Sequence, residues 1–163
     1  MSRQVLSPQV LSAWLGLLRS HAELTRAMNA QLVSEHGITL SDYDVMIQLE
    51  NAPGCRMRRV DLANSVLLTA SGITRLLDRL EAEGWVCKEH CKSDARVTWA
   101  VLTDAGHEKL VEAAQTHHAD IARLFTDRLS AEELDALGCL LGRLGSRPET
   151  NVVIEPVTDI SAA

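Results

Sequence analysis

The sequence predicts a mainly α-helical chain carrying one small β-hairpin. Three observations lead there. Met57 to Leu102 (MRRVDLANSVLLTASGITRLLDRLEAEGWVCKEHCKSDARVTWAVL) reads as two short helices, a tight connection and a hairpin with a polar, mostly basic tip. On either side of it, apolar residues recur at helical spacing between cap and stop residues. Charge is also uneven along the chain. The total is −6, yet residues 56–96 hold eight basic against six acidic residues, a net of +2, whereas residues 1–55 carry −2 and residues 97–163 carry −6. A basic balance confined to one stretch is the asymmetry expected of a protein with one nucleic-acid-facing surface.

A chain of 163 residues is one domain, or one domain with arms, and is long enough to bury a core unaided. With 46% hydrophobic and 23% charged residues and a mean hydropathy of −0.01, it reads as globular and soluble. Its sequence holds no apolar run long enough for a membrane span, and the MSRQVLSPQV start does not resemble a signal peptide. Cys55, Cys87, Cys91 and Cys139 are therefore expected to be reduced thiols in the cytoplasm. Neither a Gly-rich phosphate loop, nor paired catalytic acids, nor a nucleophile elbow is present. Enzymatic activity and a bound cofactor are not expected.

Ser7 caps and Pro8 opens a long first helix, and Gly37 stops it. Leu11, Trp14, Leu18, Ala22, Thr25, Met28 and Leu32 follow helical spacing, and Leu15, Leu17 and Leu24 widen the face enough for two packing surfaces. Ser41, with Asp44 three residues on, predicts a capped second helix with Tyr43, Ile47 and Met46 inward, ended by Pro53-Gly54. A short extended piece is expected at Cys55-Arg56, then a third helix over Arg58–Ser65 with Val60, Leu62 and Ala63 as its apolar side. Thr69 has the chemistry to cap a fourth helix, in which Ile73, Leu76, Leu77 and Leu80 form one stripe and Gly84 the stop. Trp85–Glu89 and Val97–Leu102 are the hairpin strands. Thr103 caps a fifth helix with Leu110, Val111, Ala114, His117, Ile121 and Leu124 on one face. Ser130 and Glu133 make a capping box for a sixth, striped by Leu134, Leu137, Leu141 and Leu144. The tail after Gly145 reads as extended.

Two helices followed by a hairpin make a winged helix-turn-helix, and the physics of DNA binding suits it. The second helix of the pair fits the major groove, where every base pair shows a distinct hydrogen-bonding edge. Ser71 and Gly72 allow close approach, and Thr74 and Arg75 reach base edges or phosphates. Arg96 at the hairpin tip suits the negative minor groove. Against this stands an ordinary solvated face, with Arg75 and Arg79 in surface ion pairs with Asp78, Glu81 and Glu83. Helix, basic hairpin and local charge together favour the DNA reading.

LTASGITRLLDRLEAEGWV, then Asp94-Ala95-Arg96, then LTDAG resembles the MarR family of transcriptional regulators, over nearly the whole span from Ser7 to Gly145. The wing (CKEHCKSDARVTW) departs from the family's pattern in carrying fewer arginines. The resemblance implies a homodimer built from the first, fifth and sixth helices, bound to double-stranded DNA at a pseudo-palindromic operator and often released by a small aromatic acid. It implies DNA contacts at Thr69, Ser71, Thr74, Arg75 and Arg79 and at Arg96 of the wing, with Asp94 holding Arg96 by an ion pair. The chain then divides into an N-terminal dimerisation helix (1–37), a winged helix-turn-helix domain (38–102), C-terminal dimerisation helices (103–146) and a tail (147–163).

Trp14 and His21 are seven apart on one helical face. The resemblance implies an effector pocket between this helix and the winged domain, which makes both candidates for contact with a planar effector, with Tyr43 and Met57 lining the same space. The plainer reading makes Trp14 a packing residue. Cys87, His90 and Cys91 on the wing raise the alternative of a metal- or thiol-responsive sensor, acting through the same fold or through protein contacts rather than DNA, but they lack the ligand spacing of a zinc site. His107, His117 and His118 fit packing or interface roles better than a metal site.

Overall fold

The computed structural model describes residues 6–66, 70–90 and 97–145; of residues 70, 71 and 90 it describes the backbone alone. Thr69, Cys91, Asp94, Arg96 and the tail lie outside the described residues. The chain divides between Leu40 and Ser41 into two compact units.

The first unit is dominated by α1 (Pro8–His36). Ser7 accepts a hydrogen bond from the Val10 amide at 3.3 Å, Pro8 occupies the first turn, and Gly37 closes the helix in the left-handed region at φ 68°. Leu32 is fully buried, but Leu11, Trp14, Leu15, Leu17 and Leu18 all stand exposed.

The next helix, α2, spans Leu40–Glu50, so Ser41 lies inside it rather than capping it. The donor at its start is satisfied from elsewhere: the Leu40 amide bonds the side-chain oxygen of Asn29 at 3.0 Å. Tyr43, Val45, Met46 and Leu49 are buried, and Ile47 is half-buried. Helix α2 stops at Glu50, before the short turn at Pro53–Cys55. Strand β1 (Arg56–Arg58) leads into α3 (Arg59–Ser65), where Leu62 and Ala63 turn inward. Val60, expected on the apolar side, is instead 65% exposed. Val60 lies two residues from Leu62, about 160° around the helix, and so falls outside the face that Leu62 buries.

Helix α4 (Ala70–Ala82) buries Ile73, Leu76, Leu77 and Leu80 as its spacing predicts. It packs against α3 and against β2 (Val86–His90). Strand β3 (Thr98–Leu102) pairs with β2, each strand one residue later at its start than expected. β1 adds a third antiparallel strand, giving the order β1-β3-β2 with Met57 and Lys88 both opposite Ala100. Ala100 and Leu102 are buried while Trp99 and Val101 are half exposed, the alternation of a sheet with one covered face.

Gly84, at φ 77°, makes the turn from α4 into the sheet in a conformation that favours glycine. Thr103 then does two things. Its hydroxyl donates to the Gly84 carbonyl at 2.7 Å and accepts from the Gly106 amide at 3.0 Å, capping α5 (Asp104–Thr126). A Cβ at Gly106 would collide with the Trp85 carbonyl and come within 2.8 Å of Leu102 Cδ1. In α5, Leu110, Ala113 and His117 are buried; Val111, Ala114, Ile121 and Leu124 are only half-buried. α6 (Ala131–Leu144) opens on the Ser130–Glu133 capping box. Its stripe stays open: Leu134 and Leu137 are half-buried, and Leu140, Leu141 and Leu144 are exposed.

Candidate nucleic-acid interface

Burying the Ile73–Leu80 stripe determines which face of α4 is presented outward. Arg75 is exposed on that face, and Thr74 beside it is half-buried. Thr74 Oγ1 accepts a hydrogen bond from Arg59 Nη1 at 3.2 Å, which ties the first residue of α3 to the first half of α4. Gly72, two residues before Thr74, is half-buried. Of the expected contact residues, Ser71 is described through its backbone alone, and Thr69, Arg96 and the supporting Asp94 lie outside the described residues.

Arg79 is placed differently from Arg75. Its Nη2 donates to Asp42 Oδ1 on the first turn of α2, and that aspartate is only 3% exposed. On the other flank of α4, Lys88 of β2 donates to Asp78 at 2.5 Å and to Glu81 at 2.7 Å. Those two carboxylates push the Lys88 pKa upward, keeping the ammonium charged. Asp42 and Lys88 were not anticipated. Asp42 lies 37 residues from Arg79, and Lys88 sits on a strand 10 and 7 residues from Asp78 and Glu81, so spacing within α4 could not disclose the pairs. The available signal was an aspartate set directly before Tyr43 and the apolar Val45-Met46.

The other arginines of this stretch are also engaged. Arg58 makes a bidentate pair with Asp61 at 2.6 and 3.0 Å, a geometry in which both guanidinium donors are used. Arg56 lies 3.8 Å from Glu89 and places its guanidinium carbon 5.1 Å from the centre of the Trp99 ring, within cation–π range.

Of the four candidate effector contacts, Trp14 and His21 belong to the first unit and Tyr43 and Met57 to the second. Trp14 and His21 are exposed on α1. Tyr43 is buried, its hydroxyl 3.2 Å from His118 Nε2 and its ring 4.6 Å from that of His117. Burial raises the Tyr43 pKa and lowers that of His118, so both stay neutral near pH 7. Met57 instead lines a surface cleft of about 500 Å³ with Gln48, Asn51, Arg56, Arg58 and Trp99. Tyr43 is not among the residues that line this cleft.

Among the described residues, no group of three or more His, Cys, Asp or Glu side chains is arranged to hold a metal ion. His107, exposed, pairs with Glu50 at 3.0 Å. Burial, then Glu89 and Glu81, raise the Cys87 pKa and keep it as the less reactive thiol. No helix among the described residues is long and apolar enough to cross a membrane.

Residues 38–98 match the model of the MarR family. AbsC, a MarR family transcriptional regulator from Streptomyces coelicolor, is 32% identical and superposes with a TM-score of 0.71, over 87% of this chain and 95% of AbsC. Sco3205, a MarR family regulator of the same organism crystallised in complex with DNA, is 28% identical with a TM-score of 0.77, over 91% of this chain and 94% of its own. The transcriptional repressor MprA of Escherichia coli is 27% identical over 132 residues, which cover 78% of this chain and 74% of MprA. With that fold and that similarity, the chain belongs to the MarR family of transcriptional regulators and is not an enzyme.

Proposed function

We propose that the chain is a homodimeric, sequence-specific DNA-binding repressor, which holds a pseudo-palindromic operator and is released by a small aromatic acid. The observation that carries the DNA reading is α4. One face is locked into the core by Ile73, Leu76, Leu77 and Leu80, so the other must face outward, with Arg75 exposed on it. Such a helix suits the major groove, and an arginine there is the side chain best fitted to the paired acceptors of guanine. The relatives support the reading, since Sco3205 is known in complex with DNA and MprA is a repressor. Apolar side chains left open on α1 and on α6 support a partner copy. Two copies would place their recognition helices on half-sites about 34 Å apart, one turn of the duplex. The effector reading is supported by Trp14, which offers an exposed ring on α1. A repressor of this kind acts in the cytoplasm, where the DNA is.

The test is selection of duplexes from a random pool by the purified chain, followed by titration at several salt concentrations. A selected duplex should bind more tightly than a scrambled one, with affinity falling steeply as salt rises. Arg75→Ala should weaken the selected duplex by about 1–3 kcal/mol and relax specificity at one position of each half-site. Failure to enrich any sequence, or binding indifferent to salt, would refute the DNA reading. Aromatic acids that neither quench tryptophan emission nor weaken the complex would remove the effector from it.

A further inference from the structure

Resting on the DNA reading above, we infer that Asp42 and Lys88 are positioning residues for base recognition, and that Arg79 serves Asp42 instead of the DNA backbone. Three residues in the second half of α4 are held from two sides. Arg79 is drawn to Asp42 on α2, and Asp78 and Glu81 are drawn to Lys88 on β2. The first half is held from a third direction by Arg59 of α3 through Thr74. All these ties run from α4 to other elements, none along it, so each resists rotation or sliding of the helix.

The Arg79 pair and the two Lys88 pairs differ in what holds them. Asp42 is nearly fully buried, and a buried carboxylate stripped of its cation is strongly disfavoured. Arg79 is thus committed to Asp42 although half of its own side chain faces solvent. Lys88 meets two carboxylates that are 60% and 43% exposed, and pairs so wetted contribute little to stability. Their effect is geometric. Turning α4 by about 10° would carry a side-chain tip about 5–6 Å from its axis through about 1 Å. Reading a base edge needs placement to within about 0.5 Å. Holding the helix between α2 and β2 keeps Arg75 inside that tolerance, and Lys88 also sets the base of the hairpin against the recognition helix.

Positioning and contact predict opposite things in a salt series. We would measure anisotropy of a labelled duplex, selected by the wild-type chain, against a scrambled duplex of equal length, using full-length Asp42→Asn, Arg79→Gln and Lys88→Met. The expected result is a loss of about tenfold or more in preference for the selected duplex. Affinity for the scrambled duplex and the slope of log K against log [salt] should stay at wild-type values. Asp42→Asn with Arg79→Gln together should be no worse than either alone in preference for the selected duplex, because the Asp42–Arg79 pair is already lost in each single variant. Lys88→Met replaces a surface ion pair and keeps the test open if Asp42→Asn fails to fold. The inference is overturned if Arg79→Gln lowers the slope by about 0.9 per chain while Asp42→Asn leaves binding unchanged or tighter, for Arg79 then touches a phosphate. It is equally overturned if variants that are folded by circular dichroism weaken on both duplexes in parallel, for preference between sequences is then untouched. A wild-type chain that enriches no duplex takes down the DNA reading and this inference with it.

Discussion

Helices α4 and α6 are close in length, 13 and 14 residues, and both carry leucines at helical spacing, yet they end in opposite environments. In α4 the stripe is buried, with Leu77 at 1% and Leu80 at 0% exposure. In α6 Leu140 is 54% and Leu144 76% exposed. The periodic pattern is the same and tells which side of each helix avoids water. It does not tell whose atoms will cover that side. The recognition helix completes its packing inside its own chain, so its outward face is defined even in a monomer. A helix with an uncovered stripe has its packing left to be completed by other atoms.

The contrast can be broken at either end. Leu77→Ala should cost about 2–5 kcal/mol of stability at any protein concentration, read as a lower urea midpoint, because it opens a cavity in a covered stripe. If the loss is under about 0.5 kcal/mol, α4 is not packed as described. Leu140→Glu with Leu144→Glu should leave the monomer folded by circular dichroism and shift the light-scattering mass of the eluted protein from two chains to one. An unchanged dimer mass would remove α6 from the interface. Thr103→Ala deletes a helix cap and the bond to the Gly84 carbonyl, for an expected loss of about 0.5–2 kcal/mol in the melting transition. An unchanged melting temperature would show that water replaces both bonds.

The smallest effect depends on pH. Burial lowers the folded-state pKa of His118 below its ordinary value. As pH falls through about 6.5, the unfolded chain takes up a proton that the folded chain resists, so this group makes stability fall towards acid and adds nothing above that range. Urea midpoints between pH 7.5 and 5.5 should drop less in His118→Gln than in the wild-type chain. Parallel curves would mean that His118 titrates freely in the folded state.

What was legible in the sequence was local. Ser7, Thr103 and Ser130 cap their helices because a cap needs only its next three residues, and the α4 stripe follows from a 3.6-residue repeat. Longer-range ties escaped. The amide of Leu40 takes its partner from Asn29, and Ser41, the obvious local cap, lies within the helix. Arg79 has both the spacing of a DNA contact and, 37 residues upstream, a buried aspartate to answer. Val60 was misplaced because two turns of helix are too few for periodicity to choose a face. Of the third strand only the extended piece at Cys55-Arg56 was legible, because three residues are too few for alternation to mark a strand.

The junction at Gly84, Trp85, Thr103 and Gly106 behaves as a welded corner. One hydroxyl joins the carbonyl that ends the turn after α4 to the amide that begins α5, and there is no room at Gly106 for even a methyl group. A lever needs a stiff elbow, and this one lets a tilt of α5 pass to the hairpin base without being absorbed at the corner. Compliance in this half of the molecule has to be sought elsewhere, and a probe inserted between Thr103 and Gly106 would break the linkage it was meant to report.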